Sequence, residues 1–197
     1  MSSTSPNVSI ILPTYNRPDV LPRALQSVFS QDYSDFELIV IDNGSTAETQ
    51  DILDQFADSR MRCIRFEKNR GVGGARNEGV RQARGNLVAF IDSDDLWLSG
   101  KLTYQVALFN KYPELELVFG NYRNINYVSR DDNNGFDQVQ NSLQRLKVEE
   151  LEAEIYRVCS GIPEALLERS FFATPTVMLR ASVFEKTGNF NVALSGP

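Results

Sequence analysis

The chain has 197 residues, 42% of them apolar, enough for one domain or slightly more with a real core. Its 26 acidic residues against 20 basic ones leave a net charge of −6 without a basic tract, which argues against nucleic acid and against docking on acidic lipid. There is no histidine, so a Ser-His or Cys-His nucleophile system and any histidine metal ligand are excluded.

No apolar run reaches the ~20 residues of a membrane span, and Met1-Ser2-Ser3-Thr4-Ser5 is not a signal peptide. The expectation is a soluble, cytoplasmic portion, with peripheral attachment at the cytoplasmic face of a membrane left open. Cys63 and Cys159 fall in separate predicted elements without metal-ligand spacing and are expected as free buried thiols.

In chain order, Val8–Leu12 reads as a first strand, ended by Pro13. The polar turn Thr14-Tyr15-Asn16-Arg17 follows. A helix then starts near Asp19 as N-cap, with Pro22 in its first turn and Leu21, Ala24, Leu25, Val28 and Phe29 on its buried face. Phe36–Ile41 is a second strand that exits into Asp42-Asn43-Gly44-Ser45, where Ser45 and Glu48 make a capping-box pattern for the next helix. Met61–Phe66 is a third strand. Gly71-Val72-Gly73-Gly74 leads into a short helix through Ala75, Val80 and Ala83, stopped by Gly85.

Leu87–Ile91 reads as a strand buried on both faces, and Asp92-Ser93-Asp94-Asp95 follows at its exit. Three carboxylates in four positions cannot all enter a core. In a cleft they repel by about 0.7 kcal/mol per pair at ~6 Å in water, or ~3 kcal/mol at an effective dielectric of ~20. A hard divalent cation with oxygen ligands would offset that. The plain alternative is a solvated loop with a helix-capping aspartate.

A helix over Ser99–Lys111 and a strand over Leu115–Gly120 complete a β-α-β-α-β-α-β-α-β pattern, the mark of a parallel α/β sheet. Beyond it, Ser129–Asn141 reads as a surface loop or insert, and Leu143–Val158 as an amphipathic helix. Thr174–Leu179 reads as a strand, and Ser182–Thr187 as a short helix stopped by Gly188. The expected division is a nucleotide-binding half over 1–111 and a more irregular half over 112–197.

In a parallel sheet the strand carboxyl ends share one edge, where ligands bind. Three strands here end in polar clusters: Pro13–Asn16, Asp42–Ser45 and Asp92–Asp95. Acids that carry a cation, glycine-rich backbone and Arg76 suit a diphosphate, with the metal bridging phosphate oxygens to Asp94 or Asp95 and Arg76 pairing with a phosphate. Arg76 read singly is an exposed helix arginine. Glycines 71, 73 and 74 either bring backbone N–H groups to an anion or form a flexible entry loop. The Gly-x-Gly-x-x-Gly of a dinucleotide dehydrogenase and the Gly-Lys-Ser/Thr of a P-loop are both missing after Leu12.

Val8–Arg17, Ile41-Asp42-Asn43-Gly44-Ser45, Ala75-Arg76-Asn77-Glu78-Gly79-Val80 and Phe90-Ile91-Asp92-Ser93-Asp94-Asp95-Leu96-Trp97 together resemble family 2 glycosyltransferases of the GT-A fold. The match keeps the family's order and spacing from about residue 8 to 102, and Pro175–Asn191 resembles the stretch before that family's acceptor site. The resemblance implies an α/β, Rossmann-like GT-A fold with a central, mostly parallel sheet. It also implies a metal-dependent, inverting transfer of a sugar from a nucleotide-diphosphate donor to an acceptor hydroxyl in a cell-surface polysaccharide, lipid-linked glycan or protein. On matching positions, Pro13, Thr14 and Tyr15 would line the base and ribose pocket, with Asn16 and Asp42 in the same two loops. Asn43 would face the nucleobase edge, and Asp94 the ribose or metal. Asp95 is the leading ligand for Mn²⁺ or Mg²⁺, with Asp92 and Asp94 as the other acids of the Asp-x-Asp element.

Two departures from the family pattern matter. Asn43 stands where the family commonly has a second Asp; UDP is the first expectation for the donor, dTDP next, GDP third. The family's general base lies in a Glu-Asp element shortly after a segment like Gly188–Gly196, so the catalytic base is expected beyond Pro197 and the chain as a fragment. Glu164, Glu168 and Glu185 read as helix surface residues. The rival readings are a non-catalytic sugar-nucleotide-binding module and a sugar-nucleotide nucleotidyltransferase; the latter generally has a Gly-rich, Arg-containing loop after its first strand, which this chain lacks.

Overall fold

A computed structural model of the protein describes residues 5–56, 58–125 and 132–194. The elements run β1 (Val8–Thr14), α1 (Leu21–Phe29), β2 (Phe36–Asp42), α2 (Ala47–Gln55), β3 (Met61–Arg65), α3 (Gly71–Gln82), β4 (Leu87–Phe90), α4 (Lys101–Lys111) and β5 (Leu117–Val118). There follow β6 (Arg123–Ile125), β7 (Asp132–Asn134), α5 (Gln140–Leu143), β8 (Lys147–Glu152), β9 (Ile155–Ser160), α6 (Ile162–Glu168), β10 (Met178–Arg180) and α7 (Ser182–Thr187). Two compact units result. One runs to Val118 and resumes at Val177; the other is Phe119–Thr176.

The first unit is a six-stranded sheet in the order β3-β2-β1-β4-β10-β5. The first four strands are mutually parallel, while β10 runs antiparallel to both β4 and β5. The expected mixed α/β sheet is therefore present and mostly parallel. Alternation along the strands sorts the core into two faces. Ile10, Leu12, Leu38, Val40 and Ala89 pack with Leu21, Leu25 and Val28 of α1 and with Leu102, Val106 and Phe109 of α4. Ile39 and Ile41 face the other way, onto Ala75 of α3 and Phe66. The helices follow sequence logic: Pro22 sits in the first turn of α1, and the apolar positions Leu21, Ala24, Leu25 and Val28 are all buried.

Several local expectations are corrected. α1 begins after Val20 rather than at an Asp19 cap, and its first turn hangs on Leu21 N–H donating to the Arg17 carbonyl at 3.0 Å. The capping box of Ser45 and Glu48 does not form; Thr46 precedes α2 and makes no side-chain cap. Gly71, Gly73 and Gly74 are not an entry loop but the first turn of α3 itself. The strand at Leu115–Gly120 is only Leu117–Val118, and Thr174–Leu179 divides into a 3-10 turn (Thr174–Thr176) and β10. Both thiols are free, as expected, but exposed rather than buried.

The second unit overturns the helix expected over Leu143–Val158. Lys147–Glu152 and Ile155–Ser160 form an antiparallel hairpin, with Val148 opposite Val158 and Glu149 opposite Arg157. Leu143, Leu146, Leu151, Ile155 and Val158 do recur at helical spacing. The β-formers at 155, 156 and 158 and the Arg157–Glu149 ion pair (3.5 Å) favour the strand period instead. Glu154, at φ 63°, closes the turn. Of the expected loop at 129–141, residues 129–131 lie outside the described residues. The remainder is β7, a 3-10 turn (Phe136–Val139) and the start of α5. This unit has its own small core of Val139, Ala165 and Phe171 beside Phe119, Phe136 and Phe172.

Candidate functional site

The parallel register sets Thr14 beside Asp42 and Ile11 beside Phe90, so the loops after β1, β2 and β4 open on one edge of the sheet. The first two loops are tied to each other. Asn43 N–H donates to the Thr14 carbonyl (2.9 Å), Asn16 N–H to Ser45 Oγ (3.0 Å) and Thr46 N–H to Asn16 Oδ1 (2.8 Å). Ser45 is thus drawn away from helix capping into holding the rim. Asn16 itself has φ 51°, a conformation asparagine tolerates better than most residues.

Two polar atoms at this edge are buried without a hydrogen bond. Asp42 is fully buried; its Oδ1 accepts from Ser45 N–H at 2.9 Å, while Oδ2 has no hydrogen bond and lies 3.6 Å from Arg65 Nε. Thr14 Oγ1 is likewise buried and unbonded. Each orphan of this kind costs about 1–3 kcal/mol, which is tolerated where a ligand supplies the missing partner. Pro13 is buried beside them, and Tyr15 and Asn16 are exposed at the lip.

Asn43 is 4% exposed and engaged on every side. Its Nδ2 donates to Asn69 Oδ1 (2.8 Å) and to the Gly71 carbonyl (3.2 Å), and its Oδ1 accepts from Arg70 N–H (2.9 Å). It therefore staples the β2 exit to the entry of α3. Gly44 completes this contact: at φ +84° a Cβ there would stand 3.0 Å from Asn69 N and from the Lys68 carbonyl carbon.

At the third loop, Arg76 donates from Nη2 to Asp92 Oδ1 at 2.7 Å, and its guanidinium carbon lies 5.7 Å from the centre of the Phe190 ring. Its side chain is only 14% exposed, and Nε is buried without a partner. Arg76 is therefore a half-committed cation rather than a solvated helix residue. Asp94 is exposed and Asp95 half-buried, with Asp95 N–H donating to the Asp92 carbonyl at 3.1 Å. Burial, then the charges of Asp92 and Asp94, push the Asp95 carboxyl up to about 6.

Among the described residues, no three acidic, cysteine or histidine side chains converge as a ready-made metal cage. The donor set fits a different kind of site. Asp94 and Asp95 offer hard carboxylate oxygens in a field already crowded with negative charge. A hard divalent ion held there would take its other ligands from phosphate and water, the usual habit of Mg²⁺.

The acid loop is anchored by residues that sequence reasoning passed over. Trp97 N–H donates to Ser27 Oγ (3.1 Å), and Gln31 of the α1 end donates to the Leu98 carbonyl (2.9 Å) while accepting from Leu102 N–H (3.2 Å). Lys101 packs its ammonium 4.1 Å from the Trp97 ring centre and donates to Gln105 Oε1 at 2.7 Å. Asn69 and Phe190 were also missed. Phe190 falls in the stretch Pro175–Asn191 but nothing local singles it out, and polar residues such as Gln31 and Asn69 look like ordinary surface until the fold brings them together. Glu164, Glu168 and Glu185 are exposed, as expected.

Known proteins resemble this chain in sequence and in fold. The chain is 38% identical over 119 residues to the Escherichia coli UDP-Glc:alpha-D-GlcNAc-diphosphoundecaprenol beta-1,3-glucosyltransferase WfgD, covering 60% of this chain and 47% of that protein. It is 39% identical over 124 residues to the E. coli enzyme of the same description, WfaP, covering 63% and 47%. The chain thus spans about half the length of these curated relatives. Among solved structures, Staphylococcus aureus TarS 1-349 in complex with UDP-GlcNAc superposes with a TM-score of 0.70 at 22% identity, over 93% of this chain and 48% of that one. The Pyrobaculum calidifontis mannosyltransferase PcManGT, in complex with GDP-Man and Mn²⁺, gives 0.67 at 19%, over 96% and 49%. At such identities the structures speak to the fold, which they share. The profile of glycosyl transferase family 2 matches residues 9–171, and with the sheet-edge motifs inside that span this chain belongs to glycosyl transferase family 2.

Proposed function

We propose that this chain is the donor-binding portion of a metal-dependent, inverting glycosyltransferase, taking a sugar from a nucleoside diphosphate, UDP first, to an acceptor hydroxyl in cell-surface glycan synthesis. The carrying observation is the pair of orphaned buried oxygens, Thr14 Oγ1 and Asp42 Oδ2, on the same strand-end edge as the half-buried carboxylate of Asp95. The UDP-glucose in the names of WfgD and WfaP and the UDP-GlcNAc complex of TarS support the choice of UDP; the GDP-Man and Mn²⁺ bound by PcManGT keep GDP as an alternative and support the metal.

Thr14, Asp42 and Asn43 would hold the nucleoside, with Pro13, Tyr15 and Asn16 as walls. The asparagine in place of the family's common Asp is less of an obstacle than its chemistry suggests. Both Nδ2 hydrogens are already committed to Asn69 and Gly71, so Asn43 presents to a base only the second lone pair of Oδ1, an acceptor for a single N–H. That suits N3–H of uracil or thymine. Asp94 and Asp95 would hold Mn²⁺ or Mg²⁺, which stabilises negative charge on the departing diphosphate. Arg76 would share itself between Asp92 and a phosphate oxygen through its unbonded Nε. No described acid is assigned as the base that activates the acceptor hydroxyl. Residues 1–111 would carry the nucleotide sugar and 112–197 the acceptor side, with the enzyme working on the cytoplasmic side of the membrane. Among the described residues, no helix is long and apolar enough to cross a membrane.

The test is a thermal titration with UDP, dTDP and GDP, each with and without Mn²⁺. A true donor base at ~100 times its dissociation constant should add about 2.7 kcal/mol of stability. Asp95→Ala should erase the Mn²⁺-dependent part and leave the fold intact. In the parent chain that part should fade as pH falls through about 6, where the proton competes for the Asp95 carboxylate. If none of the three nucleotides stabilises the chain at any metal concentration, the donor site is wrongly assigned.

A further inference from the structure

Asn77 follows Arg76 on α3, and its side chain faces a segment 113 residues further along the chain. Its Nδ2 donates to the Phe190 carbonyl at 2.9 Å, and its Oδ1 accepts from Phe190 N–H at 2.8 Å. One amide thus meets both polar groups of one peptide residue, as a neighbouring strand would. Such reciprocal pairing fixes the segment in position and orientation, where a single bond would leave it free to rotate. The segment continues close over the first turn of α3. A Cβ at Gly73 would lie 3.6 Å from the Val192 Cα, an ordinary contact distance, so the segment lies against this turn of the helix.

The latched residue bears on the site through its ring. Phe190 meets Phe90 edge-on (centres 5.4 Å apart, planes at 87°) and Phe184 at 6.1 Å. Its face lies 5.7 Å from the Arg76 guanidinium carbon, the same guanidinium that reaches Asp92 through Nη2. Arg76 is therefore bounded by the Asp92 carboxylate and by the Phe190 ring. A planar cation held between a carboxylate and an aromatic ring keeps its orientation only while both stay in place.

We infer that Asn77 is a positioning residue: by latching the Phe190 backbone to α3 it holds the Phe190 ring against Arg76, and so keeps the guanidinium aligned on Asp92 at the edge where the donor diphosphate would sit. Its bearing on donor binding rests on the glycosyltransferase reading; the latch itself does not. Asn77 touches neither nucleotide nor metal in this assignment and acts through Phe190 and Arg76.

The experiment follows three signals in the full chain: hydrogen exchange at the backbone N–H of residue 190, exchange of the Arg76 Nε–H by NMR, and UDP affinity with Mn²⁺. In Asn77→Ala both exchange rates should rise about tenfold or more, and UDP–Mn²⁺ affinity should fall by about tenfold. Phe190→Leu keeps the backbone bonds but removes the ring. It should leave protection at position 190 unchanged while the Arg76 Nε–H still loses its own. If Asn77→Ala lowers the thermal midpoint but leaves Arg76 Nε–H exchange at the parent rate, Asn77 is merely structural and the proposal is overturned. Should Asn77→Ala fail to fold, Phe190→Leu decides: an unchanged Arg76 signal there overturns the proposal equally. A parent chain that binds no UDP with Mn²⁺ would sink the donor reading, while the two exchange signals would still judge the latch.

Discussion

Asn43 shows how much one side chain can be asked to do at a strand exit. Its amide donates twice and accepts once, joining the β2 exit to Asn69, Arg70 and Gly71. Aspartate at this position would be isosteric and, from the family's habit, unremarkable. Here it would turn a carboxylate oxygen onto the Gly71 carbonyl, which has no alternative orientation. Asn69 could flip its amide to meet the new oxygen, but its Oδ1 already accepts from Gly71 N–H at 2.7 Å and would lose that bond. Asn43→Asp should therefore destabilise the chain by about 1–3 kcal/mol, the usual cost of an unsatisfied buried polar group. Urea unfolding of the single variant and of Asn43→Asp with Asn69→Ser measures it. A neutral single variant would mean the amide network contributes little, and with it the claim that Asn43 offers a base only its acceptor oxygen.

At the scale of elements, α3 owes its place to a glycine that looks like a defect. Gly79 lies mid-helix, where glycine costs about 1 kcal/mol relative to alanine. A Cβ there would stand 2.4 Å from Ile11 Cγ2, on a fully buried residue of the central strand. The helix backbone lies directly on β1, and neither partner has room to yield. Gly79→Ala should destabilise by about 1–3 kcal/mol net of its propensity gain, lowering the thermal midpoint by about 2–4 °C per kcal/mol. Gly73→Ala, whose Cβ would make only ordinary contacts, should be neutral or stabilising. Equal effects at both positions would refute the packing account. The same contrast explains what could be read from sequence. The parallel strands and their helices were legible because apolar runs and helical stripes report burial by a sheet with two covered faces, and the three polar strand exits mark the edge proposed for the donor. The hairpin at 147–160 was not legible, because Leu143, Leu146, Leu151 and Ile155 satisfy the helical period and only cross-strand partners choose against it. The site's second ring of support was hidden for a related reason. Gln31, Asn69 and Phe190 acquire meaning from partners distant in the chain, and no local pattern announces them.

Across the whole sheet the two ends are treated differently. At the amino ends, Glu37 accepts from Ser9 Oγ (2.7 Å), from Arg62 (2.7 Å) and from Arg84 N–H (2.9 Å), and Ser9 Oγ accepts from Gly85 N–H, so three strands and the loop that enters β4 are fastened through one satisfied polar knot. At the carboxyl ends, Thr14 Oγ1, Asp42 Oδ2 and Arg76 Nε are left without hydrogen bonds. That difference between the two edges supports the proposal that the second one receives a ligand. The polar groups of both edges bear on how stability depends on pH. Burial opposes ionisation of Glu37, but its hydrogen bonds outweigh that and hold the carboxyl below its ordinary value. The stability it contributes is present above the unfolded value of 4.5 and is lost as pH falls through the folded one. Lys101, beneath Trp97 beside the acid loop, behaves in the opposite sense. Burial pushes its ammonium down to about 7, against 10.5 in the unfolded chain. Between those two values the unfolded chain holds a proton that the folded one has released, so stability rises with pH across that window. Lys101→Met removes the titration while keeping most of the volume over Trp97. The variant should be more stable than the parent at pH 7, with the difference shrinking steadily toward pH 10. Thermal midpoints of the two chains, measured across that range, test this directly: parallel curves would show that Lys101 stays charged in the folded protein, held by the Trp97 ring rather than neutralised beneath it.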